Sequence, residues 1–283
     1  MNEPTNVTRE GGRLAVPASL FVDGAEPPFA LFDRRGRLAD LGFARTVYVA
    51  PSDAEALNGY VRRHLGAVMG ARRVPEPARA WALHRALLDV VAHALRTLPE
   101  TEALLRLQPV IEVAAMHVGT EPGIYLAEVA HSVRSPATHA VATALYGLTL
   151  AVGEGIDDRE SLVRIATAGV LADVWKFRTP RLVARGSDLT DAERAQLRAH
   201  GEHGATLLAQ AGVRSRVVIE AVRLHHERWD GGGYPEGLRG TSIPLEARIL
   251  RIADSYAALT IDRPDAPGLR GYEALLEMAQ SEG

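Results

Sequence analysis

From Asp53 almost to the C-terminus, apolar residues recur three and four positions apart, the spacing that lines one face of an α-helix. A chain so patterned folds mainly as packed helices, with Pro, Gly and capping residues setting their limits. Ser52 or Asp53 can cap a helix running to about Met69, with Leu57, Tyr60, Val61 and Leu65 on one face. Pro77 opens a second, through Trp81, Leu83, Leu87, Val90, Val91 and Leu95, which stops near Pro99. A third is expected from about Glu100 to His117, broken by Gly119 and Pro122-Gly123. Ser135-Pro136 reads as an N-cap followed by proline at the first helical position, which puts His139 in the opening turn of a helix ending at Gly153. Asp157 and Asp158 start another, expected to continue through Asp173 to Lys176. Thr190 to Glu193 begins a helix holding His200, His203 and Gly204; Arg214 to Glu227 and Pro244 to Thr260 complete the set.

Before Asp53 the pattern differs. Residues 1–11 are polar, and then Ser19-Leu20-Phe21-Val22, Phe29-Ala30-Leu31-Phe32 and Thr46-Val47-Tyr48-Val49 each predict a short strand. Asp33-Arg34-Arg35-Gly36 reads as a hairpin turn. The expected organisation is a small α/β or β-rich cap over 1–52, a helical connecting region over 53–129 and a helical domain over 130–283. The cap contains no His and no phosphate-binding glycine loop, so no chemistry is assigned to it.

One stretch does not fit a core helix: HHERWDGGGYPEGLRG, His225 to Gly240. Two adjacent histidines are followed by Glu227 and Asp230, and imidazole with carboxylate is the usual donor set of a divalent metal. The glycines mark a loop whose backbone can approach something closely. The alternative is a surface loop with two solvated histidines. Asp254 sits between Ile252-Ala253 and Ala257-Ala258-Leu259, where an acid is costly unless paired or bound to a cation. Asp173 and Lys176 read equally as a solvated ion pair on a helix face, and His64, His84, His93 and His117 as structural or surface residues.

With no cysteine, a disulfide framework, a thiol nucleophile and a Cys-ligated metal are excluded, so any metal relies on His, Asp and Glu. A net charge of -3 gives no sign of a nucleic-acid polymer or membrane-surface binder. The N-terminus carries acids and Pro in place of a basic and apolar leader, and no uncharged run approaches a membrane span, so a cytoplasmic protein is expected.

Taken together, these residues resemble the HD-GYP family of the HD phosphohydrolase superfamily. Its signature, HHExxDGxGYPxGLxGxxIxxxARIxxxAD, is matched at every fixed position from His225 to Asp254. Upstream, GVLADVWKFRTP (Gly169 to Pro180) is similar to the family's ALLHDIGKIxIP segment, and LRAHGEHGATLL (Leu197 to Leu208) to its HxxxG segment. The resemblance covers about residues 130 to 280 and implies a helical bundle with two metals, sometimes three, that hydrolyses cyclic di-GMP. The metal ligands it implies here are His139, Asp173, His200, His225, His226 and Asp254. His131, in an HSVR context, competes for the first position, and the spacing to Asp173 and the Ser-Pro helix start favour His139. Lys176 falls on the phosphate-facing lysine, Gly233 and Tyr234 on the pocket floor, and Arg263 on the arginine after the final Asp. The Tyr-Arg expected after Pro264 is Asp265-Ala266.

The larger departure is Ala172, where the family has the histidine of its HD pair. By the family's geometry, Asp173 with His200, His225 and His226 holds one firm metal, while a second, weaker one keeps only His139, Asp173 and Asp254. Iron or manganese is the expected metal, and in-line phosphoryl chemistry uses the pair, ~3.5–4 Å apart. Two functions follow: a cyclic di-GMP phosphodiesterase weakened by Ala172, giving pGpG or GMP, or an inactive module that binds cyclic di-GMP or a signalling protein. A phosphohydrolase of another nucleotide and a homodimer are further expectations.

Overall fold

The computed structural model describes residues 9–10, 12–21, 25–42, 44–118, 122–130, 135–185, 188–262 and 267–281. It is mainly α, as the periodicity requires. A small antiparallel sheet comes first: β1 (Arg9–Glu10), β2 (Arg13–Pro17) and β3 (Thr46–Val49), in that order. β2 pairs with β3 in a register setting Leu14 against Val49 and Val16 against Val47, all four buried. Only Thr46–Val49 matches a predicted strand. At Ser19–Phe21 the chain follows Pro17 into a 3-10 turn, Ala18–Leu20, and Val22 lies outside the described residues. At 29–32 only Phe32 pairs, bridging Leu38 and Tyr48, because Pro27-Pro28 just upstream offers no backbone donors. The turn at Asp33 forms as expected: its Oδ1 accepts from the amides of Arg35 and Arg37, and Gly36 takes φ +82.

The helices are α1 (Ala54–Gly70), α2 (Glu76–Thr97), α3 (Thr101–Val118), α4 (Pro122–Ala130), α5 (Pro136–Gly153) and α6 (Arg159–Leu171). Then follow α7 (Pro180–Arg185), α8 (Asp191–Arg198), α9 (His200–Gln210), α10 (Arg216–Leu224), α11 (Leu245–Thr260) and α12 (Gly271–Ser281). Asp53 stands at the N-cap of α1 without bonding it through its side chain. Pro122, read as a breaker, instead starts α4, where its missing N–H costs nothing. α5 carries the expected cap: Ser135 Oγ accepts from the Thr138 amide at 3.0 Å and Thr138 Oγ1 accepts from the Ser135 amide at 2.6 Å.

α5 is the central element, buried nearly all round and packed against α2, α3, α4, α6 and α11. Its contact with α6 is close because Gly169 has no side chain; a Cβ there would stand 2.7 Å from Ala144 Cα. One apolar cluster runs from Leu14 in β2 to Ile261 beyond α11. Among the described residues, no helix is long and apolar enough to cross a membrane.

Three predicted helices end early, each next to a residue singled out for chemistry. α6 stops at Leu171, so Asp173 lies in a turn before the 3-10 segment Lys176–Arg178. The helix expected from Thr190 breaks at Ala199 into α8 and α9. α10 ends at Leu224, which frees His225 and His226 from helical geometry.

Candidate metal centre

These breaks place the donors. Asp173 comes from the turn after α6, His200 from the first residue of α9, His225 and His226 from the end of α10, His139 from the first turn of α5, and Asp254 from α11. They form two groups sharing Asp173: Asp173, His200, His225 and His226, and His139, Asp173 and Asp254, the donor atoms of each within 4.8 Å of one another. All six ligands implied by the motif are thus brought together. His64, His84, His93, His117 and His203 join neither group. His131 and Arg263 lie outside the described residues.

In the first group the protons can be assigned. Nδ1 of His200 donates to the carbonyl oxygen of Leu197 and Nδ1 of His225 to that of Val222, each at 2.7 Å. In the neutral rings both Nε2 atoms are therefore unprotonated. Yet they stand 3.2 Å apart, with Asp173 Oδ1 at 3.3 Å from His200 Nε2 and 3.7 Å from His225 Nε2. That oxygen is sealed from solvent and makes no properly angled hydrogen bond, although the Lys176 ammonium lies 2.7 Å away. Converging lone pairs and an orphaned carboxylate oxygen fit a divalent cation, and few other occupants. Burial, with the charge of Lys176, lowers the His200 pKa, and burial with His225 holds His226 well below its ordinary value.

The second group is more closed. His139 Nε2 donates to Asp254 Oδ1 at 2.8 Å and lies 3.6 Å from Asp173 Oδ2, while its buried Nδ1 has no partner. Ala172 is buried and brings no donor. Burial would raise both carboxyls, but Lys176 and the imidazoles hold Asp173 well below the carboxylate range, and His139 does the same for Asp254. Burial works against the Lys176 ammonium, and Asp173 and Asp254 overcome it, raising its pKa.

The glycine loop is built by residues that the motif had suggested as ligands. Glu227, 1% exposed, accepts from the amides of Glu236 (2.6 Å) and Gly237 (3.1 Å) at Oε1 and of Leu238 (2.9 Å) at Oε2. Asp230 binds Arg228 and the Gly232 amide, which bring its pKa down to about 2. Neither acid points at the metal position; both serve the loop. Gly233 is required by space, since a Cβ would stand 2.3 Å from the Arg228 amide nitrogen. Tyr234 stacks on His226 with centroids 4.8 Å apart, and burial pushes its hydroxyl up to about 12. Sequence reasoning missed Arg198, whose guanidinium lies 5.6 Å over the Tyr234 ring, and Arg251, on α11 beside His226.

The HD domain family model matches residues 130–283. A cyclic di-GMP phosphodiesterase of Pseudomonas aeruginosa is 36% identical over 148 residues, 52% of this chain and 36% of that protein. The cyclic di-GMP phosphodiesterase response regulator RpfG of Xanthomonas campestris is 40% identical over 116 residues, 40% of this chain and 31% of its own. A 3'3'-cGAMP-specific phosphodiesterase of Vibrio cholerae is 36% identical over 132 residues, 46% of this chain and 25% of its own. The chain thus spans about a third or less of the length of RpfG and the Vibrio enzyme, and 36% of the Pseudomonas protein. Bd1817, an HDG"Y"P protein from Bdellovibrio bacteriovorus, shares the fold with a TM-score of 0.67 at 14% identity, over 95% of this chain and 94% of that one.

Proposed function

Because this chain belongs to the HD domain family, in its HD-GYP branch, we propose that it is a metal-dependent phosphohydrolase of cyclic di-GMP, weakened by Ala172. The observation that carries this reading is the convergence of two unprotonated imidazole nitrogens on a shielded carboxylate oxygen. Asp173, His200, His225 and His226 line the firm position; His139, Asp173 and Asp254 line a weaker one. Such an ion, iron or manganese in kind, supplies Lewis acidity toward a phosphoryl oxygen and water.

The chain's own residues do the rest. Lys176, held charged beside Asp173, offsets the charge of the scissile phosphate. Tyr234 keeps its proton across the physiological range and so donates a hydrogen bond from the pocket floor. Gly233 lets a nucleotide approach the backbone, and Arg263 is assigned to the same ligand. Residues 130–283 form the functional domain in this proposal, with 53–129 connecting it to a cap at 1–52, in a cytoplasmic protein that binds no membrane or nucleic-acid polymer.

The manganese- or iron-loaded protein should release pGpG or GMP from cyclic di-GMP. Intact substrate after prolonged incubation sinks the enzymatic reading. The direct His139–Asp254 hydrogen bond and the missing imidazole at Ala172 favour a second one, a catalytically silent receiver of the nucleotide that signals to a protein partner or as a homodimer. Calorimetry on the metal-loaded protein tests it: no heat of nucleotide binding removes it.

A further inference from the structure

The three imidazoles round Asp173 are not equivalent. His200 and His225 give their Nδ1 protons to backbone carbonyls. His226 meets a donor instead, with Arg251 Nη1 3.2 Å from its Nδ1. A guanidinium has only donors and keeps its proton in proteins, so His226 Nδ1 accepts. A neutral imidazole accepting at Nδ1 carries its proton on Nε2. That proton has a partner: His200 Nε2, an unprotonated acceptor, lies 3.1 Å away. The ring plane is fixed by the stack with Tyr234, at 25°. Arg251 is set in place by α11, one turn before Asp254 on the same helix.

We propose that Arg251 withholds His226 from the metal, so that Asp173, His200 and His225 ligate it while His226 faces it through an N–H. The proposal rests on the metal-site reading above and sharpens it. Four protein ligands close a tetrahedral ion and suit a structural role, whereas three leave a position for water or a substrate oxygen. For His226 to become the fourth ligand, its proton must move from Nε2 to Nδ1, where it confronts the guanidinium and breaks the Arg251 contact. Arg251 is thus a positioning residue that acts through His226. It lies at a variable place in the HD-GYP signature, so the device belongs to this chain and not to the motif.

Two measurements test it. In metal-free protein with 15N-labelled histidine, long-range proton–nitrogen spectra should place the neutral-ring proton on Nε2 in His226 and on Nδ1 in His200 and His225, with His226→Gln assigning the odd signal. Cobalt(II) affinity, measured against a competing chelator, supplies the second readout. His226→Gln should change it less than about threefold, while Arg251→Leu should tighten it about tenfold, the scale on which groups contacting a ligand act. The tightening should vanish in the Arg251→Leu/His226→Gln double variant. If it persists there, only a nearby positive charge has been removed and the proposal is overturned. A tenfold loss in His226→Gln alone, or a His226 proton on Nδ1, overturns it too. Wild-type protein that takes up no cobalt overturns the metal-site reading itself, a result distinct from the others.

Discussion

His200 Nε2 stands 3.2 Å from His225 Nε2, with the other nitrogen of each ring already committed to a backbone carbonyl. Two lone pairs so placed repel unless a cation lies between them. The metal-free protein therefore carries a local penalty that a divalent ion removes. Manganese at a hundredfold excess over its Kd should stabilise the fold by about 2.7 kcal/mol and raise Tm by roughly 5 °C. Chelator should reverse the shift, and His200→Gln should abolish it. A Tm indifferent to manganese and chelator would rule out this use of the cluster.

Ala172 is the next position to probe. The second donor group has one imidazole and two carboxylates, and its His139–Asp254 hydrogen bond occupies atoms a metal would need. An imidazole at 172, next in the chain to Asp173, restores a fourth donor. Ala172→His should raise manganese content from about one to about two ions per chain and increase turnover at least about tenfold. Metal analysis checks the first and product release the second. An unchanged metal content in a folded variant would show that this residue does not limit the site.

The six donors were legible because the HHE…AD pattern is long and its spacing places residues by itself. What periodicity could not show is where the helices break. Asp173 follows Leu171 with no Gly or Pro between them, and its carboxylate reaches the imidazoles only because α6 ends at Leu171. The break between α8 and α9 at Ala199 is equally silent in composition. Glu227 and Asp230 were misread for the opposite reason: their neighbourhood of histidines suggested ligands, while their partners are amides and Arg228 close by in the chain. The cap was least legible. Two-residue β1 and the single bridge at Phe32 depend on pairing with β2 and β3 partners, which local pattern does not encode.

Glu227 holds the glycine loop by three amide hydrogen bonds from a fully buried carboxylate. Glu227→Ala leaves those amides without acceptors and should cost about 3 kcal/mol by denaturant unfolding. The same change loosens the segment that carries Tyr234, so KM for the dinucleotide should rise about tenfold while metal affinity changes little. Glu227→Gln keeps one acceptor oxygen and should cost about half as much. If both variants match the wild type in stability and KM, the loop is organised by something else.

His84 gives a pH dependence that does not involve the metal centre. It is buried in α2, and desolvation, with the charge of Arg85, lowers its pKa to about 4. The unfolded chain takes up this proton near pH 6.5, the folded chain only near 4. Between those values the unfolded state binds more protons, so stability rises with pH; the contribution is complete above 6.5 and is lost as pH falls toward 4. The slope is about 1.4 kcal/mol per pH unit, or roughly 3 kcal/mol over the window. His117, also lowered by burial, stays in both proteins, so the difference between wild type and His84→Gln isolates His84. With manganese saturating throughout, unfolding free energies at pH 4.5, 5.5, 6.5 and 7.5 should fall less steeply toward acid in the variant. Parallel curves would mean that His84 is protonated in the fold and that burial does not set its charge.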